Sequence, residues 1–181
     1  MCRSRRADRR LAGLLALALG ASGLAGCAKP EPVASLQAPQ PRFDVERFFA
    51  GRTEGEASLK IIWRDPVPVR VHGHGEVLVD GTLVLDQLVE RAGKPPQRRR
   101  WRIRPEGAPG RYAGLLTDAT DRVEGMVEGN QLRLSYPMKD GLRVTQYLYM
   151  QPDGRTVRNR MTITKLGLKV GELDETIRKL D

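Results

Sequence analysis

From Thr53 onward, apolar and polar residues alternate in short runs. Turn-forming pairs divide them: Asp65-Pro66, Asp80-Gly81, Gly129-Asn130, Asp140-Gly141 and Asp153-Gly154, with "GKPPQ" at 93–97 and "EGAPG" at 106–110. Between these signals lie runs such as "EASLKIIW", "VRVHGHGEVLV", "QLRLSYPM" and "RTVRNRMTI", with a last strand in "KVGELDETIRK". Nine or ten consecutive short strands joined by tight turns predict an all-β antiparallel up-and-down meander. No stretch between them is long enough for a helical crossover joining parallel strands. Closing into a barrel is the simplest way for such a meander to remove its exposed edges; a two-sheet β-sandwich is the alternative.

The alternation also assigns faces. In "LRLSYPM", Leu132, Leu134, Tyr136 and Met138 share a side opposite Arg133 and Ser135. In "RRRWRIR", Arg99, Trp101 and Ile103 oppose Arg98, Arg100, Arg102 and Arg104. "LVLDQL" and "TQYLYM" are apolar on both sides, a pattern open to two readings: ligand-lining positions, or contact with a helix or partner. Ahead of the strands, "FDVERFFAG" predicts a short helix closing one end of the domain. Asp44 is its cap, Phe43 and Phe48 sit at the staple positions, and Gly51 is the stop.

The first 42 residues have a different character. Arg3, Arg5, Arg6, Arg9 and Arg10 precede an apolar run from Leu11 to Ala25, too short for a spanning helix, which ends in "LAGC". This resembles the lipobox of a bacterial lipoprotein. It implies a signal peptide over 1–26 and lipid attachment at Cys27, with membrane anchoring through acyl chains. Ala28 at the next position implies the outer membrane, facing the periplasm. Pro30, Pro32, Pro39 and Pro41 make 27–42 an extended tether of roughly 45 Å at about 3.1 Å per residue, leaving 43–181 as one β-barrel domain. Residues 1–26 contain five arginines and one aspartate, which account for +4 of the formal +9 and leave +5. That modest excess suits a surface beside anionic lipid better than nucleic acid. With Cys2 removed and Cys27 blocked, disulfides, thiol catalysis and cysteine zinc sites are excluded.

The chain's two histidines, His72 and His74, lie two residues apart on one strand with Glu76 beyond. Strand neighbours i and i+2 are roughly 6.8 Å apart and can converge on zinc. Glu76, about 13.6 Å along the strand from His72, cannot complete the site. A carboxylate from an adjacent strand is required, and Arg70 on the same face opposes a cation. The histidines therefore read first as solvent-side residues, while Gly73 and Gly75 face inward. No serine sits in a hydrolase elbow. Asp118, Asp121 and Glu124 read as turn chemistry before acid–base chemistry. "RRRWR" reads as a solvated basic face before a headgroup site. Gly167 and Gly171 read as turn or bulge positions. The sequence assigns no reaction, cofactor or catalytic residue.

Several stretches together resemble one family: "FFAG" at 48–51 with Gly55, "WRI" at 101–103, "GRYAGLLTDA" at 110–119, "EGNQLRLSY" at 128–136 and "NRMTITKLGLKVGEL" at 159–173. They are similar to the uncharacterised bacterial lipoprotein family catalogued as domain of unknown function 3833. The resemblance implies a lipocalin-like barrel and, from relatives encoded near fatty-acid-modifying enzymes, a lipid-linked role. Within these stretches Trp101, Tyr112, Asp118, Asn130, Tyr136, Asn159 and Lys165 are the candidate ligand or structural contacts. One departure is "LDQLVERAGKPPQ" at 85–97, where relatives carry an acidic-aromatic pair. Two expectations follow. A barrel that binds a lipid or other apolar small molecule requires a cavity of several hundred Å³. An envelope lipoprotein with a structural or interaction role requires a filled core and a working outer surface.

Overall fold

The computed structural model describes residues 36–181. The expected signal peptide, Cys27 and the tether up to residue 35 lie outside the described residues.

The short helix forms where expected, α1 at Val45–Phe49. The carboxylate of Asp44 caps it by accepting from the Arg47 N–H at 2.9 Å, and Phe43 meets Phe48 edge-on with ring centroids 5.9 Å apart. Gly51, at φ +81°, then redirects the chain into the first strand. Ten strands follow: β1 (Gly51–Ile61), β2 (Val67–Val77), β3 (Leu83–Arg91), β4 (Gln97–Pro105), β5 (Arg111–Leu116), β6 (Val123–Glu128), β7 (Gln131–Pro137), β8 (Leu142–Met150), β9 (Thr156–Lys165) and β10 (Leu168–Lys179). Each pairs antiparallel with its sequence neighbours, and β10 returns to β1 with Leu173 opposite Leu59. The sheet is a closed barrel, so the sandwich alternative is set aside.

Up-and-down topology gives the barrel two unlike ends. At one, α1 buries Val45, Phe48 and Phe49 among inward residues that include Leu83, Ile103, Leu132 and Ile177. The Lys179 ammonium donates to the Ala50 carbonyl just past the helix, where carbonyls lack helical partners. At the other end lie the β1–β2, β3–β4, β5–β6, β7–β8 and β9–β10 turns, with no helix over them among the described residues.

Leu36 to Arg42 depart from the tether reading, because they lie against the barrel's helix end. Leu36 is buried, and the Asn130 side chain holds the segment. Its Oδ1 accepts from Ala38 N–H at 2.7 Å and its Nδ2 donates to Leu36 O at 2.9 Å. Phe43 N–H donates to Gly129 O at 2.8 Å. Proline spacing governs stiffness but does not report backbone partners supplied by a distant turn.

Candidate functional site

In β2 the inward positions are Val69, Val71, Gly73 and Gly75, and the outward ones include Arg70, His72, His74 and Glu76. His72 lies between carboxylates of both neighbouring strands, Glu54 at 3.8 Å and Glu90 at 3.4 Å. His74 stands opposite Asp86, which Arg100 engages through two hydrogen bonds. The Arg100 contact holds the Asp86 carboxyl below the usual carboxylate range. His72, His74, Asp86 and Arg100 line a shallow outer depression of about 790 Å³ that is open to solvent. Among the described residues, no three His, Cys, Asp or Glu side chains form a metal-holding group.

The enclosed space is inside the barrel. From mid-height to the open end, inward positions carry medium-sized apolar side chains: Leu59, Val69, Val71, Val144, Met161 and Ile163. Among the described residues no helix fills the space between them, and they surround a cavity of about 460 Å³. Met161 and Ile163 are only half-buried although they face inward, as expected of walls around a hollow. Asp118, on the β5–β6 turn, forms part of the rim and accepts from Gln97 Nε2 at 3.2 Å.

A belt of polar side chains floors this cavity. Asn159 Nδ2 donates to Gln146 Oε1 at 3.0 Å and to Glu175 Oε2 at 2.8 Å, and Gln146 Nε2 donates to the Tyr136 hydroxyl at 2.8 Å. On the facing wall Gln87 Oε1 accepts from both Arg99 Nε at 3.0 Å and Trp101 Nε1 at 2.8 Å. Arg99 also lies over the Trp101 ring, 5.9 Å from its centroid. Two features of the belt are unmatched. The Asn159 Oδ1 atom is buried without a hydrogen-bond partner, and Arg99 has no ion pair among the described residues. Burial pushes the Glu175 carboxyl up, toward its neutral form, although the Asn159 bond and the Arg99 charge act in the opposite direction. Gly55 is what admits Glu175, since a Cβ there would overlap its carboxylate. Below the belt lies a small void of about 40 Å³, walled by Phe49, Leu83, Trp101 and their neighbours.

The sequence candidates therefore separate. Tyr136 and Asn159 line the cavity, Asp118 its rim, and Trp101 supports the belt from below. Tyr112 and Asn130 are structural contacts at the helix end. The Tyr112 hydroxyl donates to Glu46 of α1 at 3.2 Å, and burial together with that carboxylate pushes it up to about 12. Lys165 ends β9 beside the open mouth and is exposed, outside the cavity wall. Arg99, Gln146 and Glu175 are site residues that sequence reasoning missed. A signal was available, because each is a polar or charged residue at an inward position of its strand.

Sequence comparison matches residues 21–179 to the family described as "Protein of unknown function (DUF3833)". No curated protein matches the chain. Among solved structures, an S-type phycobiliprotein lyase from Guillardia theta is similar with a TM-score of 0.59 at 9% identity, covering 77% of this chain and 94% of that one. A DUF3598-family protein of unknown function from Nostoc punctiforme is similar with a TM-score of 0.56 at 13% identity. That match covers 78% of this chain and 51% of the other, so this chain spans about half its length. At such identities the likeness shows the fold, a lipocalin-like barrel.

Proposed function

The chain belongs to the DUF3833 family of proteins of unknown function, and we propose that it binds an apolar, lipid-like small molecule inside its barrel. The observation that carries this reading is the 460 Å³ cavity with apolar walls above a polar floor. Ligand sites are typically about 300–1,000 Å³, mostly apolar, with a few convergent polar groups. The floor suits a ligand whose polar end accepts hydrogen bonds, because Arg99 offers a positive charge that no ion pair among the described residues satisfies. The apolar body then lies along Val69, Val71, Val144 and Met161 toward the mouth. The "LAGC" sequence supports carriage on an envelope membrane through Cys27.

The test is titration with a fluorescent long-chain fatty acid and with the corresponding alcohol. Both bind wild type. Met161→Trp, which fills the cavity, weakens both at least tenfold. Arg99→Leu weakens the acid by about tenfold or more, the value of a charge-assisted hydrogen bond, and spares the alcohol. Absence of binding, or binding that ignores Met161→Trp, overturns the proposal.

A further inference from the structure

The open end of the barrel carries an apolar patch that the interior does not use. Trp63 is 94% exposed at the β1–β2 turn, and Leu166 is 91% exposed at the β9–β10 turn; Ile62 and Leu168 extend the patch. The two turns are neighbours, because Ile62 N–H donates to Val170 O at 2.9 Å. Single exposed apolar residues need no explanation, but a contiguous group on adjacent tips does.

The backbone makes these residues less ordinary still. Trp63 has φ +62° and Leu166 φ +50°, the left-handed region where a side chain crowds the following carbonyl. Leu166 and Gly167 both have positive φ between the paired residues Lys165 and Leu168, a two-residue hairpin turn that favours Asn-Gly or Gly-Gly. Glycine or asparagine would relax the conformation and improve the solvent contact. The sequence instead places tryptophan and leucine where both local preferences oppose them, and such departures concentrate at functional positions.

Charge selects the partner. Lys60, Arg64, Lys165 and Lys169 flank the tips, against Asp65 and Glu172, and Lys169 already holds Glu172 at 2.7 Å. Apolar groups at the extremity with cations a step behind them match the layering of a bilayer, where tryptophan favours the interface and lysine and arginine the anionic headgroups. The segment 36–38 joins the barrel at the opposite end, and none of the described residues covers this face. We infer that the open end of the barrel docks onto an anionic lipid bilayer, with Trp63 and Leu166 entering the interface and the flanking cations meeting headgroups. A cavity mouth held against lipid would let an apolar ligand pass without crossing water. The docking itself does not depend on the ligand reading.

The chain contains two tryptophans, and Trp101 is buried, so Trp63 is an intrinsic reporter. Full-length protein is mixed with vesicles of phosphatidylcholine alone, or of equal parts phosphatidylcholine and phosphatidylglycerol, with brominated acyl chains as quencher. With the anionic vesicles, Trp63 emission shifts to the blue and is quenched, and Trp63→Ser abolishes both changes. Arg64→Glu with Lys165→Glu weakens the interaction by at least about thirtyfold, the value of losing two cations near an anionic surface, to which the added repulsion contributes further. Bromine quenches only on contact, so attachment through the N-terminal segment does not by itself produce the signal. Emission that stays water-like on every vesicle, or that is shielded only by a protein partner, overturns the inference. So does equal quenching on neutral vesicles unaffected by the charge reversals.

Discussion

A Cβ at Gly75 would overlap the carbonyl oxygen of Phe49, whereas one at Gly73 would meet the hydroxyl of Thr53. The distinction is between backbone, which is fixed by α1, and a side chain with rotameric freedom. Gly75→Ala is therefore expected to destabilise by about 1–3 kcal/mol, the usual range for overpacking. Gly73→Ala should cost clearly less, because Thr53 can yield. Urea denaturation of the two variants checks this, and equal losses would show that α1 is not rigidly seated. That these glycines face inward was legible from the alternation in "VRVHGHGEVLV". What they make room for was not, because the Phe49 carbonyl belongs to a separate element. The same gap applies to Glu175: its alternation with Leu173 and Ile177 places it inward, but the room for its carboxyl comes from Gly55 on the adjacent strand, which the alternation does not report.

At the scale of elements, strands and turns were readable because each is set by local chemistry: alternation within a strand, Gly and Asp at its ends. The α1 cap was readable for the same reason. The docking of residues 36–42 was not, since its partners are Asn130 and Gly129, in a turn more than eighty residues away. Asn130 is central there, as its Nδ2 also donates to Met150 O at 2.9 Å. Asn130→Asp keeps the shape and the acceptor for Ala38 N–H, but it turns a carboxylate oxygen toward two carbonyls. The expected cost is about 1–3 kcal/mol, with faster hydrogen exchange at the Ala38 and Phe43 amides. As a comparison, Asp44→Ala should cost about 1 kcal/mol by removing the α1 cap. It should leave the Ala38 amide protected, since that bond is made by Asn130. Exchange that rises equally in both variants would mean that the segment and α1 detach together.

Over the whole molecule, the run of successive strands favoured a closed barrel over a sandwich, but the hollow did not follow from the sequence. Inward positions are apolar at both ends, and the difference lies in what they meet. Phe48, Phe49 and Trp101 fill the helix end, while Val, Met and Ile face one another across the open half. The resulting asymmetry places a carboxyl group at the boundary, and global stability should report it. Unfolded, Glu175 titrates near its ordinary 4.5; folded, burial raises that value. Between the two, the native state holds a proton that the unfolded chain has released, so stability falls as pH rises through the interval. Below 4.5 the penalty disappears, and above the raised value it is constant. Glu175→Gln preserves an acceptor for Asn159 Nδ2 and cannot ionise. The variant should melt above wild type at neutral pH, with the gap closing on acidification toward 4.5. Thermal unfolding of both proteins across that range, without ligand, provides the check. The opposite pattern, with wild type the more stable at neutral pH and losing that advantage in acid, would mean that an ionised Glu175 pairs with Arg99. Arg99 would then lack the free charge on which recognition of a ligand's polar end depends.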